Sequence, residues 1–227
     1  SSGIMRNTPL LSTLPAGFTV VAGLNTQNAV SQDPSYNNAL YFVGPTAILR
    51  NAYLRNASIT NSDVTGADFT NADFTNVASR GLTNAAVNPA TLPSASFYIK
   101  SGYIFGPRVN LSGGDFAGLD LSGSVFIGAK FTNATFANAN LTGVDITSAD
   151  LSGSTLAGAK TTRITYQGYN YGTDLSVQDP TFPAPYRYVY SAAANSGSIF
   201  GPYVDLSGAD LRGANLAYSN ATGVNLT

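Results

Sequence analysis

Apolar residues recur every fifth position through much of this chain. In Gly66–Asn76 the beat falls on Phe69 and Phe74, with Ala67 and Ala72 two places before each. Five suits neither regular element. On a helix five residues turn about 140° net, so Phe69 and Phe74 would face apart. On a straight strand five is odd, so they would point to opposite sides. One backbone keeps every apolar residue inside. Ala67 and Phe69 share one face of a short extended segment, Thr70 and Asn71 turn a corner, and the next segment starts with Ala72 and Phe74 inward again. Each five-residue unit is then one side of a coil. About four sides, roughly twenty residues, make a turn, and successive coils sit about 4.8 Å apart as hydrogen-bonded strands do. The pattern predicts a solenoid, in which each repeat buries its apolar residues against its neighbours.

The beat covers three runs. Taking the apolar residue as the centre of each unit, the first run has Leu49, Leu54, Ile59, Val64, Phe69 and Phe74. The second has Leu111, Phe116, Leu121, Phe126, Phe131, Phe136, Leu141, Ile146, Leu151 and Leu156. The third has Leu206, Leu211, Leu216, a weak Ala221, and Leu226. Small or β-branched residues stand two places before nearly every centre, Leu119 being the bulky exception. Polar residues at the centre position, Ser79 and Thr161, are expected to end the first two runs.

The units ADFTN, ANLTG, ADLSG and ANLAY resemble the pentapeptide-repeat family, whose unit is A-(D/N)-L-x-x. The resemblance covers about half the chain. It implies an all-β fold, a right-handed quadrilateral β-helix, here with irregular and hairpin insertions.

A longer repeat overlies the short one. TLPAGF begins at Thr13, TLPSASF at Thr91 and TFPAPY at Thr181. Each is followed by a Gly-Pro, in YFVGPTAIL (41–49), YIFGPRVNL (103–111) and SIFGPYVDL (198–206), with the Pro four residues before a centre. Such Leu-Pro…Gly-Pro segments also resemble members of the family from environmental bacteria and their viruses. The chain therefore divides into an N-terminal arm (1–12) and three modules. Module 1 is 13–79 with pentapeptides at 47–76. Module 2 is 80–161 with pentapeptides at 109–160. Module 3 is 162–227 with pentapeptides at 204–227, and all are expected to form one continuous folded unit. Apolar residues before Gly-Pro would fill the first coil, and Pro bars a backbone hydrogen bond at its own position.

Charge tests the twenty-residue coil. Residues twenty apart should stack on one side, which puts Lys130 beside Asp150 and makes a ladder of Asp120, Asn140 and Lys160. Asp145 falls over Val125, and Asp115 is followed by Thr135 and Thr155. No two Asp meet, as a stable ladder requires.

Composition narrows the chemistry. Net charge is −1 and charged residues are 10% of the chain, which argues against nucleic-acid partners and against a gyrase-protecting DNA mimic. Cys, His, Trp and Glu are absent, so the usual thiol nucleophile, general base and transition-metal ligands are missing. Asp63, Asp68 and Asp73 could suggest an acid pair for glycoside cleavage. Each, however, holds the outward position that the family fills with Asp or Asn, and the three point to different sides. No nucleophile elbow or phosphate loop is present, and no Asp cluster suits calcium. No catalytic residue, metal ligand or cofactor is expected. No apolar run is long enough for a membrane span. Sequons such as Asn56-Ala57-Ser58 arise from the repeat itself.

Function is then sought at the ends and insertions. The last repeat, Val224-Asn225-Leu226-Thr227, is expected to present an open coil edge that a partner could cover. Residues 162–203 carry seven Tyr, with Tyr186, Tyr188 and Tyr190 at period two. The period fits an amphipathic strand packing its rings on the solenoid wall. Alternatively, the rings offer a surface to a partner subunit or a glycan. The expectation is a non-enzymatic structural protein that self-assembles into a homo-oligomer or polymer through coil ends or Tyr-rich insertions. A filament, sheath or particle coat is the expected setting, in an extracellular, cell-surface or virion location. A surface or glycan-binding module is the alternative.

Overall fold

The computed structural model describes residues 18–23, 39–84, 89–166 and 180–227. The N-terminal arm, the start of the first Thr-Leu-Pro segment and Tyr169 and Tyr171 of the third insertion lie outside them. The chain divides into two compact units, Ser1–Asn110 and Leu111–Thr227.

The corner of each five-residue unit is set by one local hydrogen bond and one backbone angle. The carbonyl of the centre accepts the N–H three residues on: Ala72 donates to Phe69 at 2.8 Å and Ala134 to Phe131 at 2.9 Å. The residue two after the centre has positive φ, the requirement of a type II turn. That place is held by Gly66, Gly118 and Gly153 with φ of 68°, and by Asn71 and Asn133 at 56° and 59°. Gly and Asn are the residues that enter this region at least cost. This is why the repeat ends so often in one or the other.

Unit 1 opens with an antiparallel hairpin of β1 (Thr19–Gly23) and β2 (Ala39–Val43). The coil follows. Parallel bridges join Ile48 to Asp68, Tyr53 to Asp73, Ser58 to Ala78 and Asp63 to Thr83, each twenty residues apart. Four successive bridges before the first ladder recurs make the coil four-sided. Leu49, Leu54, Phe69 and Phe74 are buried, and the rings of Phe69 and Phe74 meet edge to face at 5.2 Å. The polar residue at Ser79 does not end the coil. Its side chain is buried, and its Oγ accepts the Ile104 N–H at 2.8 Å. The apolar lining resumes at buried Leu82. Ser79 is instead where a second hairpin, β3 (Tyr98–Lys100) and β4 (Tyr103–Phe105), is fastened. Its loop, Ser101–Gly102, has φ of 49° and 75°, as a two-residue type I′ turn needs.

Unit 2 is the more regular. Its bridges are Asp115–Thr135–Thr155, Asp120–Asn140–Lys160, Val125–Asp145–Thr165 and Lys130–Asp150. These are the ladders that the twenty-residue register predicts. Leu111, Phe116, Phe131, Phe136, Leu151 and Leu206 are all buried. Phe126, Phe131 and Phe136, on successive sides of one coil, pack ring against ring, neighbouring rings 5.0 and 5.2 Å apart. Thr161, the second polar centre, is fully buried and donates its hydroxyl to the Ile199 carbonyl at 2.7 Å. That bond fastens a third hairpin, β5 (Arg187–Ser191) and β6 (Ser196–Phe200). Both polar centres therefore stand where the apolar centres of a run stop, and the coil continues through them while each anchors an insertion.

The longer repeat also has a physical cause. Gly44, Gly106 and Gly201 of the three Gly-Pro pairs each occupy a centre position, with no side chain to fill the core. A Cβ at Gly44 would meet the ring of Phe18, one at Gly106 the ring of Phe97, and one at Gly201 the ring of Tyr186. These are the final aromatics of TLPAGF, TLPSASF and TFPAPY. Each ring enters the coil in place of the missing centre, and Phe97 packs on Phe74 at 5.6 Å. The glycine is required because an aromatic from before the hairpin already fills its space. Pro then takes the second turn position, and the following Thr46, Arg108 or Tyr203 takes positive φ, at 57°, 59° and 60°. Gly-Pro-X is thus the first corner after each hairpin.

Candidate functional site

The acidic wall residues come first. Asp63, Asp68 and Asp73 stand on three different ladders, so no two of them form an acid pair on one side. Each has a local role that the sequence analysis missed. An Oδ1 accepts the N–H two residues on, from Thr65 at 2.9 Å, Thr70 at 3.0 Å and Thr75 at 2.9 Å. Asp115, Asp120, Asp145, Asp150, Asp205 and Asp210 do the same. So do Asn140, Asn215, Asn220 and Asn225. These are Asx turns, which hold the backbone as it leaves each side. The Asp-or-Asn preference of the wall position was the signal, since those are the side chains that make this turn.

Ionisation follows. The hydroxyl and N–H of Thr70, with the Arg50 guanidinium, lower the Asp68 pKa to about 2. Burial opposes ionisation of Asp73, but Thr75 and Arg55 outweigh it and its pKa is lowered. Asp150 behaves alike, burial being outweighed by Ser152, Thr132 and the nearby charge of Lys130. Arg212 lowers Asp210 to about 2. These carboxylates are held ionised, opposite to what a general acid needs. Among the described residues no three Asp come together to hold a metal, and no helix is long and apolar enough to cross a membrane.

Of the three period-two tyrosines, Tyr188 and Tyr190 lie half-buried on β5 and Tyr186 half-buried immediately before it. Tyr186 enters the coil as described, and its hydroxyl donates to the Pro202 carbonyl at 3.1 Å. Burial raises its pKa. The Tyr188 hydroxyl donates to the Ile164 carbonyl at 3.3 Å, and its ring meets Tyr166 edge to face at 5.5 Å. The Tyr190 hydroxyl bonds Asn195 Oδ1 at 2.9 Å. All three are thus engaged within the chain.

The last coil, residues 206–226, differs from those before it. It keeps one ladder, with Asp205 bridged to Lys160 and Asn225 bridged to Asp205. Elsewhere side chains of the third hairpin stand in for backbone donors. Arg187 donates Nη2 to the Asn215 carbonyl at 2.7 Å and Nη1 to the Ala217 carbonyl. Ser191 Oγ donates to the Arg212 carbonyl at 2.9 Å. In the regular coils such carbonyls accept N–H groups of the coil beneath, as Lys130 and Thr132 do from Leu111 and Gly113. Arg187 therefore replaces two amides with one guanidinium. On this coil Leu211 and Val224 are half-buried, Leu216 and Leu226 are 39% and 59% exposed, and Tyr218 is fully exposed.

A coil of four five-residue sides, with apolar centres inside and Asx turns outside, defines a solenoid of pentapeptide units. Pentapeptide repeats match the chain in 8 copies, over residues 47–77, 108–143, 124–160 and 202–227. The chain belongs to the pentapeptide-repeat family, and its fold is the right-handed quadrilateral β-helix. Among solved structures, a trypsin-treated form of QnrB1, a plasmid-mediated fluoroquinolone resistance protein, is 20% identical. That match covers 54% of this chain and 68% of QnrB1, with a TM-score of 0.21. HetL, a pentapeptide repeat protein involved in heterocyst differentiation regulation from the cyanobacterium Nostoc sp. strain PCC 7120, is 21% identical. It is covered over 86% of its length by 81% of this chain, with a TM-score of 0.27. No curated protein matches the chain.

Proposed function

We propose that this is a non-catalytic structural protein that self-associates through the coil of residues 206–226, as a subunit of a filament, sheath or particle coat. One observation carries the reading. Leu216 and Leu226 stand exposed at centre positions where the preceding coils bury Leu or Phe. The surface that complements such a coil is another coil of the same geometry, which would cover its apolar centres and pair its open backbone. The wall supports the same view, because its carboxylates are held in turns and ion pairs rather than gathered around a substrate. A net charge of −1 gives no support to mimicry of a nucleic acid. The glycan reading draws less support, since the hydroxyls of Tyr186, Tyr188 and Tyr190 are bonded within the chain.

Light scattering over a concentration series tests the proposal. Association that rises with concentration and is lost in Leu226→Asp supports it. A monomer that persists at high concentration overturns it. Negative-stain microscopy separates a filament from a closed particle.

A further inference from the structure

The stack of unit 2 is interrupted under the last coil, and one of the interruptions borders a cavity. Asp205 follows Lys160 on its ladder, so Asp210 would follow Thr165 on the next side. It makes no such bridge. Ile164 pairs instead with Gly197 of β6, in antiparallel fashion, by bonds of 2.8 and 3.1 Å. The hairpin takes the backbone edge that the last coil would have used. Between the two remains a cavity of about 200 Å³. The hairpin lines it with Val189, Ser196 and Ser198, the last coil with Asp210 and Leu211, and Arg163 completes it.

The charges in this lining are unequal. Both Asp210 oxygens are taken by Arg212, from Nε at 2.9 Å and Nη2 at 2.7 Å, and Oδ1 also accepts the Arg212 N–H at 3.1 Å. Asp210 therefore brings a neutralised pair. Arg163 has no hydrogen bond or ion pair with any described residue and carries the net charge of the lining. Its backbone is in the left-handed region at φ 54°, where this coil otherwise favours Gly or Asn. An Arg there costs strain; the residue is exposed and forms part of the cavity lining. Ser196 and Ser198 alternate along β6, so both hydroxyls lie on one face of the strand.

We propose that this cavity binds a small monocarboxylate. The Arg163 fork suits a carboxylate in two-point fashion, the serine hydroxyls can donate to the same oxygens, and Val189 and Leu211 give an apolar seat for a short chain. The size fits an acid of two to four carbons, because a water takes about 30 Å³ of liquid volume. A dianion fits poorly beside one cation and a nearby carboxylate. An amine finds no carboxylate lacking a partner. The bound acid would join the hairpin to the last coil at the side where their backbone pairing is missing.

Propionate titrated into the full chain, followed by ¹H–¹⁵N chemical shifts, tests the site. Propionamide and sodium chloride at matched ionic strength are the controls. The expected result is saturable binding of propionate at millimolar concentration, with shifts confined to residues around Arg163, 191–198 and 208–211. Affinity should fall by about tenfold or more, or about 1.4 kcal/mol, in Arg163→Gln. Arg163→Gly, which suits the left-handed corner and should keep the fold, should lose binding equally. Absence of saturable shifts, equal binding of propionamide, or unchanged affinity in both variants would overturn the proposal.

Discussion

At the scale of single residues, the five-residue beat is a negotiation between the corner and the coil above it. Side chains at the positive-φ corner lean over the corner twenty residues on. A Cβ at Gly153 would meet Asn133 Oδ1, and one at Gly158 would meet Asn138 Oδ1, whereas Gly113, Gly118 and Gly123 face open space. Gly118→Asn is therefore expected to be neutral or to stabilise by about 0.5 kcal/mol through a stiffer unfolded chain. Gly153→Ala should cost about 1–2 kcal/mol in left-handed strain and also displace the Asn133 amide. Urea denaturation of the two variants separates these outcomes. Acid gives a second test. Asp68 and Asp210 titrate near 2 in the fold against about 3.9 when unfolded. Their contribution is complete above pH 4 and disappears as pH falls toward 2. A melting temperature that stays flat over that window in the native chain would contradict this, and Asp68→Asn should flatten part of the slope. The sequence exposed the centres and the Asp-or-Asn preference, because both repeat. It hid the Asx turn, since a side chain bonding its own backbone leaves no trace beyond that preference.

At the scale of elements, each hairpin is joined to the coil by a ring in a glycine's place and, in two cases, by a buried polar centre. Tyr186→Ala should cost about 3–5 kcal/mol, as for other large aromatics removed from a core. Tyr186→Phe keeps the ring and loses the bonding of the hydroxyl, about 1 kcal/mol. The double variant Tyr186→Ala with Gly201→Leu should recover part of the loss, because the leucine then fills its own centre. Thermal denaturation of the native chain, Tyr186→Ala, Gly201→Leu and the double variant gives the coupling directly. Ser79→Ala would leave the buried Ile104 N–H without its acceptor, at about 1–3 kcal/mol, with loss of hydrogen-exchange protection expected first in β3 and β4. None of this was legible in the sequence. Phe97 and Gly106 are separated by a whole hairpin, and a Ser in a Leu position looks like the end of a run. The Thr-Leu-Pro and Gly-Pro segments announced that something was shared among three modules, but not that one half fills a hole in the other.

At the scale of the whole molecule, the chain is a repeat protein whose stability is a sum of coil terms and coil–coil terms. The coil of residues 206–226 is held most lightly, by one ladder and by the side chains of Arg187 and Ser191. Arg187→Lys keeps the charge but not the planar pair of donors, and is expected to weaken this coil by about 1–2 kcal/mol. Hydrogen exchange should quicken over residues 206–220 and leave 111–160 unchanged. Uniform exchange along unit 2 would contradict this. The twenty-residue register and the order of wall residues in every regular ladder could be read from spacing alone, because an uninterrupted coil allows only one alignment. The break at Ile164 could not, because it arises where a hairpin competes with a coil for the same backbone edge.

The ring-in-glycine joint has one more consequence. It closes before and after each hairpin, so the coil is indifferent to what lies between. Residues 24–38, Ser101–Gly102 and Ala192–Asn195 are three unequal connections across the same joint. The joint makes each hairpin a port. A foreign loop can be spliced there without disturbing the register of the coil, and a lineage of such proteins can change what it displays while leaving untouched the thing that displays it.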